Sequence, residues 1–313
     1  MVDPLAEVVS LLHPTARFSK QVVGAGPWKA RRSDAGQPFY CAVLEGACQL
    51  ALDGNAAVEL RAGDFALVPA AFDVAMSSLD APPDGTAETP VAVGPGLHRI
   101  GRKEGPTDLR ILAGHCSFGS PDATLLVSLL PRLIHVRGAQ RLATFVQLLG
   151  EELREDRPAR EVVLTRLLEL MLIEALRSSD GTASAAGLVR GLADERLAVA
   201  IRAMHERPTR PWTVAELAKT AAMSRSAFFT RFSRAVGLQP MAYLLAWRMA
   251  LAKDLLRQQN MGIADVAQRV GYGSASSFSV AFSRHVGQAP TRYAREQAAA
   301  ASARHADVLA PVP

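Results

Sequence analysis

The chain has 313 residues, 35 Lys and Arg against 30 Asp and Glu, and a net charge of +5, and its length predicts two domains at about 100–200 residues each. Hydrophobic residues make up 49% of the chain, which excludes a mainly disordered protein. Three cysteines are too few for a disulfide framework, and they lack metal-ligand spacing. The absence of a signal peptide and of a long apolar run predicts a soluble, cytoplasmic protein without a membrane span.

The first 120 residues predict a β-rich domain that follows one helix. Asp3 and Pro4 have the residue types of a helix N-cap and first turn, and an apolar helical face follows up to Leu12. Short apolar runs then alternate with glycine-containing turns, and we expect strands at Phe39–Leu44, Cys48–Leu52, Ala57–Leu60 and Phe65–Val68. Many short strands with tight turns indicate a β-sandwich or a small barrel.

The next segment predicts three helices and a linker. The helices are expected at Leu125–His135, Gln140–Glu155 and Glu161–Arg177. The last of them is apolar on nearly every side, which is typical of a buried helix. It is buried either in the domain core or against a second copy of the chain, and the pattern does not choose between them. Small, polar and glycine residues over 179–190 predict a linker.

Residues 191–300 contain an internal repeat. Val214–Ala218 matches Ile263–Ala267 at an offset of 49 residues. After one inserted residue the offset is 50, and the matched pairs are Ser224 with Ser274, Phe228 with Phe278, Phe232 with Phe282, Gly237 with Gly287, Pro240 with Pro290 and Tyr243 with Tyr293. So many identities in one register indicate a duplicated structural unit.

Each copy predicts a helix-turn-helix. In the first, Thr213 with Glu216 forms a capping box, Ser224 caps the second helix and Gly237 ends it. A longer helix over Pro240–Gln258 joins the two copies. This segment also carries 15 Lys and Arg against 7 Asp and Glu, or +8, which leaves −3 for residues 1–190 because 301–313 is neutral. The basic half is therefore expected to bind a polyanion.

The second helix of such a unit fits the major groove of DNA, where its outward residues reach base edges. The buried phenylalanines are core residues, and the outward positions are the candidate base-contacting residues. These are Arg225, Ser226, Phe229 and Thr230 in the first unit, and Ala275, Ser276, Ser279 and Val280 in the second. The residues expected at the phosphates or on the surface are Arg231, Arg234, Arg248, Arg284 and Arg292, and Ser274 is expected at the helix start near the DNA.

The repeat resembles the C-terminal domain of the AraC/XylS family of bacterial transcription regulators. The matching segments are Pro211–Ala218, Met223–Phe228, Arg231–Arg234, Gly237–Pro240, Tyr243–Leu244, Trp247–Ala250, Ile263–Ala267, Val270–Ser274, Ser276–Ser279, Ala281–Arg284, Gly287–Pro290 and Tyr293. The resemblance implies a homodimer that binds double-stranded promoter DNA and RNA polymerase. Thr230 and Val280 stand where many members carry Arg, which removes two guanine contacts of about 1–3 kcal/mol each.

The front half resembles the cupin-type sensor domain of one branch of that family. The matching segments are Asp3–Leu5, Leu11–Leu12, Phe39–Gly46, Leu60–Asp64, Leu67–Pro69, Leu129–Val136, Leu167–Leu170 and Ala175–Arg177. The resemblance implies an α+β multidomain fold, with a cupin-like β-barrel and flanking helices followed by an all-α domain of two helix-turn-helix units. The expected limits are 1–178 for sensing and dimerisation, 179–190 for the linker, 191–300 for DNA binding and 301–313 for a disordered tail.

The expected role of the front domain is to bind an unknown small-molecule effector, without a metal or cofactor and without catalysis. Cys41 and Asp73 stand where cupins commonly carry metal-binding His, so a cupin enzyme with a DNA-binding tail is disfavoured. A DNA-binding architectural protein, whose front half only dimerises, is another alternative. A further alternative is a redox-responsive regulator that acts through Cys41, Cys48 or Cys116. If Glu45 and Gly46 form a hairpin turn, Cys41 lies diagonally from Cys48 at about 7–8 Å between Cα atoms, beyond the usual disulfide reach.

Overall fold

The computed structural model describes residues 3–32, 37–53, 56–70, 73–81, 87–120, 123–155, 157–178, 187–258 and 261–309. The chain divides into two compact units. The barrel unit comprises Val8–Gly119 and Leu126–Ala185, and the helical unit comprises Ala186–Pro313 with the short segments Met1–Glu7 and Ser120–Leu125. Within the described ranges, every helix is too short or too polar to cross a membrane.

The strands are β1 (Pro14–Ala25), β2 (Lys29–Arg32), β3 (Phe39–Glu45), β4 (Ala47–Leu52), β5 (Val58–Arg61), β6 (Phe65–Val68), β7 (Val74–Ser77), β8 (Val91–Gly94), β9 (Leu97–Gly101), β10 (Leu109–Phe118) and β11 (Ile134–Val136). The helices are α1 (Pro4–Leu12), α2 (Ala123–Ser128), α3 (Gln140–Arg154), α4 (Arg160–Ser178), α5 (Leu188–Ala193), α6 (Glu195–Glu206), α7 (Val214–Thr220), α8 (Arg225–Val236), α9 (Pro240–Arg257), α10 (Ile263–Arg269), α11 (Ala275–Val286) and α12 (Pro290–Leu309).

Two sheets enclose the core of the barrel unit, which has the cupin-like architecture expected from the sequence. One sheet has the strand order β11-β6-β3-β10-β1-β9-β8, and the other has the order β2-β7-β4-β5. Residues that alternate along the strands, such as Val22 and Ile111 in the first sheet and Leu50 and Met76 in the second, belong to one buried cluster. This alternation is the pattern of strands that are buried on one face.

The chain passes between the two sheets at Gly46, within the pair Glu45 and Gly46 that was considered as a hairpin turn. No hairpin forms there, because β3 pairs with β6 and β10 while β4 pairs with β5 and β7. Gly46 has φ +77°, and a Cβ there would lie 2.0 Å from the carbonyl oxygen of Asp108. Only glycine fits this corner. The expected opposition of residue 43 to Cys48 is therefore absent, and Val43 bonds instead to the backbone of Gly63 and Asp64.

The predicted helix over Leu125–His135 is also partly wrong. The helix α2 ends at Ser128, and β11 pairs with β6 in an antiparallel register that places Ile134 opposite Leu67. Pro131 cannot continue a helix, and the β-branched Ile134 and Val136 complete the edge of the larger sheet. The pairing joins residues far apart in the chain, so local periodicity could not reveal it.

The helices α3 and α4 pack on each other and on β1. Six residues of α4 form its buried face, namely Leu164, Leu168, Met171, Leu172, Ala175 and Leu176. Three further apolar residues of the same helix remain exposed, namely Val162, Val163 and Leu170. Burial in the domain core and burial against a second copy of the chain are therefore compatible, because one face of α4 lies in the core and another apolar face is exposed.

The helical unit shows the predicted caps. Thr213 and Glu216 form the capping box of α7, with the Glu216 N–H donating to Thr213 Oγ1 at 3.2 Å and the Thr213 N–H to Glu216 Oε2 at 2.9 Å. Ser224 and Ser274 accept from the N–H groups of Ala227 and Ser277. Each of α8 and α11 then ends at a left-handed glycine.

The ends of the helical unit differ from the expected domain limits. The helix α5 begins at Leu188, inside the segment 179–190 that was expected to be a linker, and residues 179–186 lie outside the described residues. The helix α12 continues to Leu309, where a disordered tail over 301–313 was expected. The alanine-rich run before residue 303 favours helix, and residues 310–313 again lie outside the described residues.

The repeat places the same aromatic cluster in both helix pairs. In the first, Phe228 lies 5.5 Å from Phe232, which meets Tyr243 edge-on at 5.7 Å between ring centroids. In the second, Phe278 lies 5.4 Å from Phe282, which meets Tyr293 edge-on at 5.6 Å. All four phenylalanines are fully buried, as predicted. Such edge-to-face pairs stabilise the core beyond what the burial of each ring contributes.

Candidate functional site

The outward face of α8 carries the predicted base-contacting residues of the first unit. Arg225, Ser226, Phe229 and Thr230 are all exposed. They line one open surface cavity of about 500 Å³, together with Val214 at the start of α7. Val214 was not among the predicted residues, because its place at this surface depends on how α7 packs against α8.

Arg231 and Asp194 join α8 to the start of α6. The Asp194 carboxylate caps α6 by accepting from the N–H groups of Arg196 and Leu197, and the Arg231 Nε donates to its other oxygen. Burial acts to raise the pKa of Asp194, but the hydrogen bonds from Leu197 and Arg231 hold this pKa below its usual value. The predicted contact of Arg231 with phosphate therefore competes with an ion pair inside the protein.

Two of the other arginines also have partners within the chain. The Arg248 guanidinium donates to the carbonyl oxygens of Pro208 and Arg210, both at 2.7 Å, and Arg292 pairs with Glu296 at 2.8 Å. Arg248 thus fixes the loop before α7. Arg225, Arg234 and Arg284 are exposed on or beside the outward helix faces, where they are accessible to a polyanion.

The outward face of α11 has little hydrogen-bonding capacity. Ser279 donates its hydroxyl to the carbonyl oxygen of Ala275 at 2.7 Å, and Ser274 uses its hydroxyl as the cap. Ser276 is exposed, and Val280 is an exposed apolar residue with 65% of its surface accessible. The two helix pairs therefore have equivalent aromatic cores but present different chemistry on their outward faces.

The barrel unit contains a cavity of about 590 Å³ among the described residues. This size lies within the range of about 300–1,000 Å³ that is typical of ligand pockets. The lining is mainly apolar and comprises Val22, Trp28, Ala30, Phe39, Val74, Met76, Pro90, Ile100, Ile111 and Ala113. The polar lining residues are Lys20, Arg31, Gln37, Glu88, Thr89 and His115.

The residues at the expected cupin metal positions do not fit a metal. Cys41 is fully buried in the apolar core, where burial raises the pKa of its thiol well above the usual value. Asp73 binds Arg31, with Arg31 Nε donating to its carboxylate at 2.9 Å. Within the described ranges, no three His, Cys, Asp or Glu residues are grouped closely enough to hold a metal ion.

The three cysteines are free and buried. Burial raises the pKa of Cys48 and of Cys116 to about 12. Because the thiolate is the form that reacts with oxidants, these surroundings disfavour the redox-responsive alternative.

Comparisons with known proteins agree with the division into two units. Residues 3–179 match the family described as Cupin, and residues 217–296 match the one described as Helix-turn-helix domain. A protein of Streptomyces lividans named as an AraC-like transcription regulator is 36% identical over 301 residues, which cover 93% of this chain and 98% of that protein. A protein of Streptomyces antibioticus with the same name is 36% identical over 302 residues, with the same coverage.

Among solved structures, a DNA-binding transcriptional dual regulator of Escherichia coli K-12 is similar to part of the chain. It is 27% identical with a TM-score of 0.30, and the match covers 33% of this chain and 91% of that one.

Proposed function

The chain belongs to the AraC-like transcription regulators, and we propose that it contacts promoter DNA through the outward faces of α8 and α11. The observation that carries this proposal is the duplicated core, which presents two equivalent helices from a segment of net charge +8. Two such helices on one rigid unit can enter successive major grooves about 10–10.5 base pairs apart. The proposal is tested by footprinting on duplexes selected from a random pool.

In this arrangement the residues have distinct roles. Arg225, Ser226, Phe229 and Thr230 contact base edges in one groove, while Ala275, Ser276, Ser279 and Val280 face the next groove and contribute mainly shape and apolar contact. Arg234 and Arg284 hold phosphates, Arg231 does so in competition with Asp194, and Ser274 sets the start of α11 near the backbone. The first unit therefore carries most of the hydrogen-bonded sequence discrimination.

The protein is proposed to act in the cytoplasm, without catalysis, and to contact RNA polymerase at the promoters that it regulates. These proposals rest on its membership of a family of transcription regulators.

The effector is proposed to bind in the barrel cavity, because this cavity combines a largely apolar lining with a few polar groups. A metabolite at 100 times its Kd stabilises the folded protein by about 2.7 kcal/mol. For a unit of this size that corresponds to a rise in melting temperature of roughly 5–10 °C, measured by differential scanning fluorimetry against a metabolite panel.

Ala30→Phe places a ring inside the cavity and is expected to remove this rise in melting temperature. Ala92→Phe adds the same ring at the exposed strand β8 and should retain the rise. A rise that both variants retain would place the ligand elsewhere.

A second copy of the chain is the proposed partner of the exposed apolar face of α4. Val163 and Leu170 lie seven residues apart, with the half-buried Leu167 between them, which is the spacing of a helix–helix seam. Leu170→Glu is expected to convert the dimer to a monomer in sedimentation velocity, because it places a charge within that seam. Leu79→Glu is the matched control, since Leu79 is 48% exposed and Leu170 51%. Equal sedimentation of the two variants and the parent would contradict the proposal.

A further inference from the structure

A notch on the outward face of α8 contains an exposed aromatic side chain that is not part of the buried core. Phe229 is 38% exposed, whereas its neighbours Phe228 and Phe232 are fully buried and form the core. The notch is the cavity of about 500 Å³ between α7 and α8, lined by Val214, Arg225, Ser226, Phe229 and Thr230. A large exposed phenyl beside an isopropyl group forms a small apolar surface within a unit of net positive charge.

The chemistry of the notch selects one feature of a base pair. The side chains of Phe229 and Val214 can neither donate nor accept a hydrogen bond, and Thr230 adds a methyl group to theirs. In the major groove the C5 methyl of thymine is the apolar group that a base pair presents. Arg225 lies at the same surface, and its guanidinium can bind a phosphate or a guanine.

We propose that the notch binds the C5 methyl of a thymine and makes one position of the target site specific for that base. This inference rests on the proposed function, in which α8 faces the major groove. It assigns to Phe229, with Val214, a defined partner atom.

The second helix-turn-helix carries a small polar residue at the position of this aromatic side chain. At an offset of 50 residues Phe229 corresponds to Ser279, whose hydroxyl is bonded to the Ala275 carbonyl. The second unit therefore has no exposed aromatic side chain at this position, although its buried aromatic core is equivalent to that of the first unit. Phe229→Ser gives the first unit the residue that the second unit already carries at this position, so the substitution is compatible with the fold.

The test compares thymine with deoxyuridine, which lacks only the C5 methyl. The full-length protein selects a duplex from a random pool, and each thymine of that duplex is then replaced singly by deoxyuridine. Burying one methyl group contributes roughly 0.8 kcal/mol, so one replacement in the half bound by α8 is expected to raise the Kd about fourfold. Fluorescence anisotropy at fixed salt measures the Kd.

Two variants assign the effect to the notch. Phe229→Ser is expected to bind the thymine and deoxyuridine duplexes equally at that position, while Val280→Ser retains the fourfold difference there. The notch proposal is overturned, with DNA binding intact, if wild type binds every deoxyuridine duplex as tightly as the parent duplex, or if no thymine is selected in that half. Failure to select any duplex overturns the proposed function itself.

Discussion

Phe282→Ala should destabilise the helical unit by about 3–5 kcal/mol, because it removes a fully buried ring and leaves a cavity. The ring of Phe282 contacts Phe278 and Tyr293 at centroid distances of 5.4 and 5.6 Å, so its loss separates α11 from α12 as well. Domains are stable by only about 5–15 kcal/mol, so this loss is a large share of the free energy of unfolding. Urea denaturation followed by circular dichroism measures the change.

The repeat and the neighbouring surface provide controls for this measurement. Phe232→Ala removes the equivalent ring of the first pair, and a loss of similar size is expected from the matching contact with Tyr243. Val280→Ala alters a residue that is 65% exposed and should stay within about 0.5 kcal/mol of wild type. A Phe282→Ala protein within 1 kcal/mol of wild type would show that the duplicated aromatic cluster does not hold the pair together.

DNA affinity should fall steeply with salt, by about 10³–10⁵ between 50 and 200 mM if six to ten phosphates are contacted. The excess of 15 Lys and Arg over 7 Asp and Glu in residues 191–300 is the source of this dependence. Each phosphate contact that is removed should lower the slope of log K against log salt by about one. Anisotropy titrations over a salt series on one selected duplex give the slope.

Single arginine variants separate phosphate contacts from internal ion pairs. Arg234→Ala should lower the salt slope by about one, whereas Arg231→Ala should change it less and also reduce stability, because Arg231 is bonded to Asp194. Arg61→Ala makes the same charge change in the barrel unit and should leave the slope unaltered. Equal slopes for Arg234→Ala, Arg61→Ala and wild type would contradict the placement of Arg234 at the DNA.

The helical unit could be predicted from the sequence because its signals are local. Thr213 with Glu216, Ser224 and Gly237 are caps that act within one helical turn, and the helix limits follow from them. The second copy repeats two of these signals, the cap at Ser274 and the terminal Gly287. The inward position of Phe228 and Phe232 follows from their spacing of four residues.

The barrel unit was predicted less completely because its pairing is non-local. The strand β1 pairs antiparallel with β10, at separations of 85 to 104 residues, and parallel with β9, at a separation of 76 residues. No turn residue marks such a pairing. The corner at Gly46 has the sequence of a hairpin turn, yet it leads to the other sheet because β3 already has partners on both sides.

The candidate site likewise contains residues whose positions follow from local sequence and residues whose positions depend on contacts between distant segments. The outward positions of α8 and α11 follow from helix periodicity, and six of the eight predicted residues are exposed, whereas Ala275 and Ser279 are half-buried. The commitment of Arg231 to Asp194 was not, because these residues are 37 positions apart and meet only in the folded unit. The contribution of Val214 to the notch likewise depends on how α7 packs against α8.

A hydroxyl-radical footprint of the full-length protein on a selected duplex tests most directly whether both α8 and α11 contact DNA. Two protected stretches are expected for each helical unit, centred about 10–10.5 base pairs apart on one face of the DNA. Val280→Glu, which places a carboxylate on the outward face of α11, should remove one stretch and leave the other. A single protected stretch that Val280→Glu does not change would contradict the claim that both helices contact DNA.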